Sequence, residues 1–233
     1  MTGDLEGVRA LVTGASRGVG RAVAEAYAGR GARVVASARA GEHLAALLRT
    51  AAASGWALDA IGADLGAPAE AARLGREAAA RLGRIDVLVN NAGLLGERTP
   101  LADFPIEVWE QVMAVNVTGV LALTQAVLPD MADGGAIINV TSGAAGRPTW
   151  GAYSISKLAI DGMTGMWRRE LADRRIRCVA VNPGPARTRM RAAAHPGEDP
   201  ETVPRPSALV GPFVAIAAGA DPGSHVEAAE WTT

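Results

Sequence analysis

Short β-branched runs alternate along this chain with longer, Ala-rich stretches whose apolar residues recur every three or four positions. The runs Arg9–Thr13, Arg33–Ala36, Ala57–Ala63, Val87–Asn90, Ala136–Val140 and Arg177–Asn182 predict strands. The stretches Val19–Arg30, Gly41–Ser54, Ala69–Leu82, Glu107–Met131 and Ser154–Arg174 predict helices, and Ser207–Ala218 predicts another. Such alternation is the pattern of repeated βαβ units, so the expected class is α/β with a doubly wound parallel sheet and helices on both faces. Strands such as VLVN and AIINV are apolar almost throughout, as burial on both sheet faces requires. No internal repeat or linker divides the chain, so residues 1–233 are expected to form a single domain. The segment Gly184–Pro206 carries five prolines and reads as an excursion over the mouth of a site.

Composition narrows the class. The hydrophobic share of 49% supplies a core, and 23 Lys+Arg against 24 Asp+Glu leave a net charge of −1. Without a basic surplus to displace counterions, nucleic-acid binding is not expected. The single thiol, Cys178, excludes an internal disulfide and fits a reducing cytoplasm. His43, His195 and His225 are isolated, so no metal site is expected. The charge-free stretches Gln111–Pro129 and Pro206–Ala220 are broken by polar residues or prolines, and Asp4 and Glu6 precede the first apolar run. Neither a membrane span nor a signal peptide is expected, and the reading is of a soluble cytoplasmic protein.

The first chemistry-bearing motif is Thr13-Gly14-Ala15-Ser16-Arg17-Gly18-Val19-Gly20, between the first strand and the first helix. Glycines allow a tight turn and a close backbone approach to a pyrophosphate, which the helix N-terminus then attracts. In this context the turn is a candidate dinucleotide site of the Rossmann type. Tyr153 and Lys157 form a second motif, because residues four apart share one helix face. Lys157 is the sole lysine among 23 cationic residues, where a solvated position would have drawn arginine. A free phenol titrates near 10, too high for efficient acid/base work at neutral pH, and a neighbouring cation lowers that value.

The spacing G-x-x-x-G-x-G, followed in order by Asn90-Asn91-Ala92-Gly93, Asn116, Ser142, Tyr153-Ser154-Ile155-Ser156-Lys157 and Pro183-Gly184, resembles the short-chain dehydrogenase/reductase family. The resemblance runs from about Val8 to Gly184. It implies hydride transfer between a nicotinamide and a carbonyl or secondary alcohol. Tyr153 is then the acid/base, and Ser142 bonds the same substrate oxygen, with Thr141 as the neighbouring alternative. Lys157 also holds the nicotinamide ribose, and Asn116 anchors a water leading to Lys157. The implied cofactor residues are Gly14, Ser16, Arg17, Gly18, Val19, Gly20, Arg39, Asp64, Leu65, Asn90, Ala92, Gly93, Tyr153, Lys157, Pro183 and Gly184.

An acid about 20 positions beyond the turn would select NAD. The second strand instead ends Ser37-Ala38-Arg39, and Arg17 and Arg39 suit a 2′-phosphate, so NADP(H) is favoured over NAD(H). Leu94, Leu95, Ala144, Trp150, Pro185 and Met190 are expected at the substrate lip, which implies a hydrophobic carbonyl or alcohol. The helices containing Asn116 and Tyr153 resemble those that pair across subunits in the family, implying a homodimer or homotetramer. The C-terminal stretch lacks the family's Asp-Gly-Gly, so the last strand is expected to be short. A non-catalytic cofactor-binding scaffold, or an epimerase or dehydratase using the same site, stays open at this stage.

Overall fold

The computed structural model describes residues 4–231. Its strands are β1 (Arg9–Thr13), β2 (Arg33–Ala38), β3 (Leu58–Gly62), β4 (Ile85–Asn90), β5 (Met131–Val140), β6 (Arg177–Asn182) and β7 (His225–Glu227). They form one parallel sheet in the order β3-β2-β1-β4-β5-β6-β7. The chain winds outward from β1 in one direction and then, from β4, in the other. The C-terminal ends of β1 and β4 therefore flank a crevice, where such sheets bind ligands.

Alternation along the strands supplies two cores. Ala10, Val12, Val34, Val87, Ile138 and Val179 face one layer, which holds α1 (Gly18–Ala28), α2 (Glu42–Ser54) and α8 (Gly211–Ala217). Leu11, Val35, Leu88, Ile137 and Cys178 face the other, against α3 (Pro68–Leu82), α5 (Gly119–Val127) and α6 (Gly151–Glu170). In the first core, the buried Tyr27 hydroxyl donates to the Phe213 carbonyl at 2.8 Å, joining α1 to α8. Burial holds that phenol protonated. Tyr27→Phe should lower stability by about 1 kcal/mol, the usual net worth of a buried hydrogen bond. A urea midpoint that does not move would refute that contribution.

The structure revises several boundaries. The helix expected at Glu107–Met131 consists of α4 (Ile106–Met113), a π-helical turn at Ala114–Thr118, and α5, closing in a 3-10 turn at Leu128–Asp130. Pro129 lies in that final turn, where its missing N–H and ring end the helix. By length and composition Ile106–Asp130 could cross a membrane. Here it packs beside α3 and α6 within the fold. Met131 already belongs to β5, which begins earlier than its apolar run because Asp133, Gly134 and Gly135 continue the strand. The helix expected at Ser154–Arg174 runs from Gly151 to Glu170, then tightens to a 3-10 turn at Ala172–Arg174. The helix expected at Ser207–Ala218 is a 3-10 turn at Pro206–Leu209 followed by α8. The 184–206 excursion carries its own short helix, α7 (Arg189–Ala194), capped by Thr188 Oγ1 accepting from Arg191 N–H at 3.1 Å. β7 is three residues long, as the C-terminal sequence implied. Thr232 and Thr233 lie outside the described residues.

Candidate active site

The crevice begins with Thr13, the last residue of β1. Its hydroxyl donates to the Val89 carbonyl at 3.1 Å and accepts from the backbone N–H groups of Asn91 and Ala92 at 3.0 and 3.1 Å. Asn91 answers by donating its side-chain amide to the Thr13 carbonyl at 2.9 Å. The ends of β1 and β4 are thereby locked together. Neither Thr13 nor Asn91 stood among the expected cofactor residues, although each sits inside a motif that pointed to the site.

The glycine turn fits this lock tightly. Gly14 has φ +64°, a left-handed conformation that other residues rarely adopt. A Cβ on Gly20 would lie 2.5 Å from the Gly14 carbonyl oxygen, so only glycine lets α1 start this close to β1. α1 begins at Gly18 with no side-chain cap, leaving first-turn N–H donors for an anion. Val19 is buried beneath the turn, Ser16 is half-buried, and Arg17 and Arg39 are exposed with no ion pair among the described residues. The donor set therefore suits a dinucleotide phosphate.

The other expected cofactor residues divide. Asp64 is exposed at the end of β3, where its carboxylate accepts from Gly66 N–H at 2.9 Å, and Leu65 is buried beside it. Ala92 and Gly93 line the end of β4, and a Cβ on Gly93 would lie 3.3 Å from Asn116 Oδ1 and 3.9 Å from Lys157 Nζ. Pro183 and Gly184 are half-buried after β6, with Gly184 N–H donating to Asn182 Oδ1 at 2.9 Å. The Asn90 side chain is engaged away from this group. Its amide donates to Asn139 Oδ1 at 2.9 Å and Thr124 Oγ1 at 3.2 Å, tying β4 to β5 and α5.

The expected catalytic residues converge on the same mouth. Asn116 lies in the π-turn and is 1% exposed. Its Oδ1 accepts from Leu94 N–H at 2.8 Å, while its amide donates to the Leu94 carbonyl and to Ser156 Oγ at 2.9 and 3.0 Å. Tyr153 and Lys157 are buried one turn apart on α6. The Lys157 ammonium donates to the Val140 carbonyl at 2.7 Å and stands 5.5 Å from the Tyr153 ring centroid. Ser142 stands beside the Tyr153 phenol, and its Oγ accepts from Ala144 N–H at 3.1 Å. Thr141, the alternative, has a buried hydroxyl with no partner.

The electrostatics correct one expectation. At the Tyr153 phenol, burial outweighs any pull from the Lys157 cation. Burial raises the phenol above its ordinary 10, and the Ser142 hydroxyl beside it opposes that rise. Lys157 is itself dry, and burial lowers its ammonium to about 8 against the opposing charge of Asp161. The sequence pattern placed a cation beside a phenol but did not reveal that both groups are desolvated.

A crevice at the switch point of a doubly wound sheet, opening onto a buried phenol with a hydroxyl and an ammonium at hand, is the architecture of a dinucleotide-dependent oxidoreductase. The family model described as short chain dehydrogenase matches residues 9–199, and the chain belongs to that family of NAD(P)-dependent dehydrogenases and reductases. It is 37% identical over 210 residues to the oxidoreductase YciK of Escherichia coli K12, spanning 86% of this chain and 82% of that protein. It is 38% identical over 184 residues to the 3-oxoacyl-[acyl-carrier-protein] reductase FabG of Thermotoga maritima, spanning 77% and 74%. A short chain dehydrogenase from E. coli CFT073, solved with NADPH, superposes with a TM-score of 0.91 at 34% identity, over 98% of this chain and 99% of that one.

Proposed function

We propose that this chain transfers hydride between NADP(H) and a hydrophobic ketone or secondary alcohol, with Tyr153 as the acid/base. The observation that carries the reading is the convergence of Ser142, Tyr153 and Lys157 at the crevice mouth. When bound, the nicotinamide supplies or accepts the hydride. The protein's part is proton handling and position. The raised Tyr153 phenol keeps its proton through neutrality, so it donates that proton to a carbonyl oxygen as negative charge develops there. Ser142 steadies the same oxygen as an electrostatic partner. Lys157 offers two further N–H donors beyond its bond to Val140 for the cofactor ribose. Asn116 braces the Leu94 backbone and Ser156, which keeps the post-β4 turn and α6 in register. The neighbouring apolar residues Leu94, Leu95, Ala144, Trp150, Pro185 and Met190 favour an apolar substrate.

The NADP(H) preference rests on Arg17 and Arg39, both exposed and unpaired among the described residues, with no acid after β2 before Glu42. Three structural neighbours were solved with NADP or NADPH, which accords with this reading. Replacing both arginines with alanine should cost roughly a hundredfold or more in kcat/KM for NADPH, the scale of two lost charge-assisted bonds, and little for NADH. Equal losses with both cofactors would refute the phosphate clamp. The same reading gives a soluble cytoplasmic enzyme that works as a homodimer or larger assembly. Leu121, Leu158 and Met166 are exposed on α5 and α6, and Gly162 and Gly165 leave open space beside them. A Leu158→Glu, Met166→Glu double variant should sediment as a monomer, whereas an unchanged sedimentation coefficient would place the subunit contact elsewhere.

A further inference from the structure

The turn after β4, the loop before α6 and the end of α7 meet around one side chain, Trp150. Its ring lies 6.1 Å from the Tyr153 ring and 5.7 Å from the His195 ring. The Arg98 guanidinium stacks over the same indole at 4.4 Å, while its Nη1 donates to the Ala194 carbonyl at 2.6 Å. Thr149, just before Trp150, is held at φ +62°. A β-branched residue in that conformation costs about 1–3 kcal/mol and persists only where its surroundings enforce it. The indole is thus fixed between the catalytic phenol and a cation.

Beside this stack is a cavity of about 370 Å³, lined chiefly by Leu95, Gly96, Arg98, Thr149, Ala194 and Pro196. Arg98 is the charged residue in that lining. Most of its five N–H donors are uncommitted, and among the described residues it forms no ion pair. The acids nearby do not supply one. Glu198 is engaged by Arg191 through both carboxylate oxygens at 2.6 and 2.5 Å, and adjacent Glu97 makes no bond to Arg98. Beside the same indole, His195 Nε2 is buried without a partner. An unpaired guanidinium and an unpartnered imidazole nitrogen flank one tryptophan, which abuts the acid/base.

We propose that Arg98 is a specificity-determining residue that receives a carboxylate at the far end of the carbonyl substrate. The inference rests on the hydride-transfer reading above and narrows its substrate class to oxo acids, apolar between their two ends. Stacking on Trp150 holds the guanidinium plane in place, so its fork meets a planar carboxylate with little further ordering. The apolar linker of the substrate runs along the indole between Arg98 and Tyr153. The cavity is within the size range of small-molecule sites.

The test compares 4-oxopentanoate, 5-oxohexanoate and 6-oxoheptanoate with their methyl esters. Binding to the NADP⁺-loaded enzyme is measured by isothermal titration calorimetry in wild type, Arg98→Gln and Arg98→Lys. Wild type should bind at least one acid tenfold or more tightly than its ester. Arg98→Gln should abolish that preference while leaving ester affinity within about twofold, and Arg98→Lys should restore part of it. Wild type that is indifferent to the carboxylate at every length would overturn the proposal. Equal weakening of acid and ester in Arg98→Gln would also overturn it, reducing Arg98 to a strut for the α7 segment. Because binding is read without turnover, these outcomes are independent of the catalytic role of Tyr153. NADPH oxidation with the esters tests that role separately.

Discussion

Tyr153→Phe should lower kcat for ketone reduction by about a thousandfold, within the range that general acid catalysis contributes, while NADPH binding changes little. The substitution removes one oxygen and keeps the ring that packs near Trp150 and Lys157. The hydroxyl stands beside Ser142 at the crevice mouth, so its loss should cost little stability. NADPH fluorescence on binding, measured beside steady-state turnover, separates the two effects. A variant that retains more than about a tenth of the parent rate would show that another group protonates the substrate oxygen, and Ser142 would then be the first to substitute.

Lys157→Met should lower kcat/KM by removing donors to the cofactor ribose, without lowering stability at neutral pH. The buried ammonium is lowered to about 8, below the ordinary 10.5 of a lysine in the unfolded chain. The folded protein therefore binds fewer protons than the unfolded chain between these two values, and stability rises with pH across that window. Below it, the desolvated charge is a standing cost to the fold. At neutral pH the methionine variant should melt no lower than the parent despite losing the bond to the Val140 carbonyl. That advantage should shrink as the pH climbs from about 8 towards 10.5, because the parent sheds its charge. Thermal melts of both proteins over this range give the comparison. A variant that melts lower at neutral pH, with a constant gap on alkalinisation, would mean that the charge is not destabilising. The same titration predicts that wild-type kcat/KM declines above pH 8, where the cation is lost.

The sequence made the sheet, the glycine turn and the Tyr153–Lys157 pair legible because each depends on local spacing. Apolar runs flanked by turn residues located β1 and β6 to the residue. Position four on a helix placed Lys157 beside Tyr153 before any tertiary contact was known. What escaped depends on partners distant in the chain. The Thr13–Asn91 lock joins residues 78 positions apart, and the Asn90 side chain bonds Thr124 on α5 and Asn139 on β5. Burial of the catalytic pair was also illegible, because it is produced by elements that close over α6 from several directions. Strand starts at Ile85 and Met131 were missed because acidic residues and glycines follow them and break the apolar signal.

The π-turn at Ala114–Thr118 has a consequence for how this helix tolerates change. Such a turn holds one residue more than regular winding needs, and the surplus brings Asn116 to the Leu94 backbone. Deleting a single residue between Met113 and Gly119 would heal the winding and strengthen the helix in isolation. Because the wide turn absorbs its extra residue, the deletion would leave α5 facing its side of the sheet as before but would withdraw Asn116 from the Leu94 backbone. The carboxamide and the apolar stripe of α5 would then no longer face their partners together. The length of this helix is thus set by two registers at once, one read by the crevice and one by the sheet.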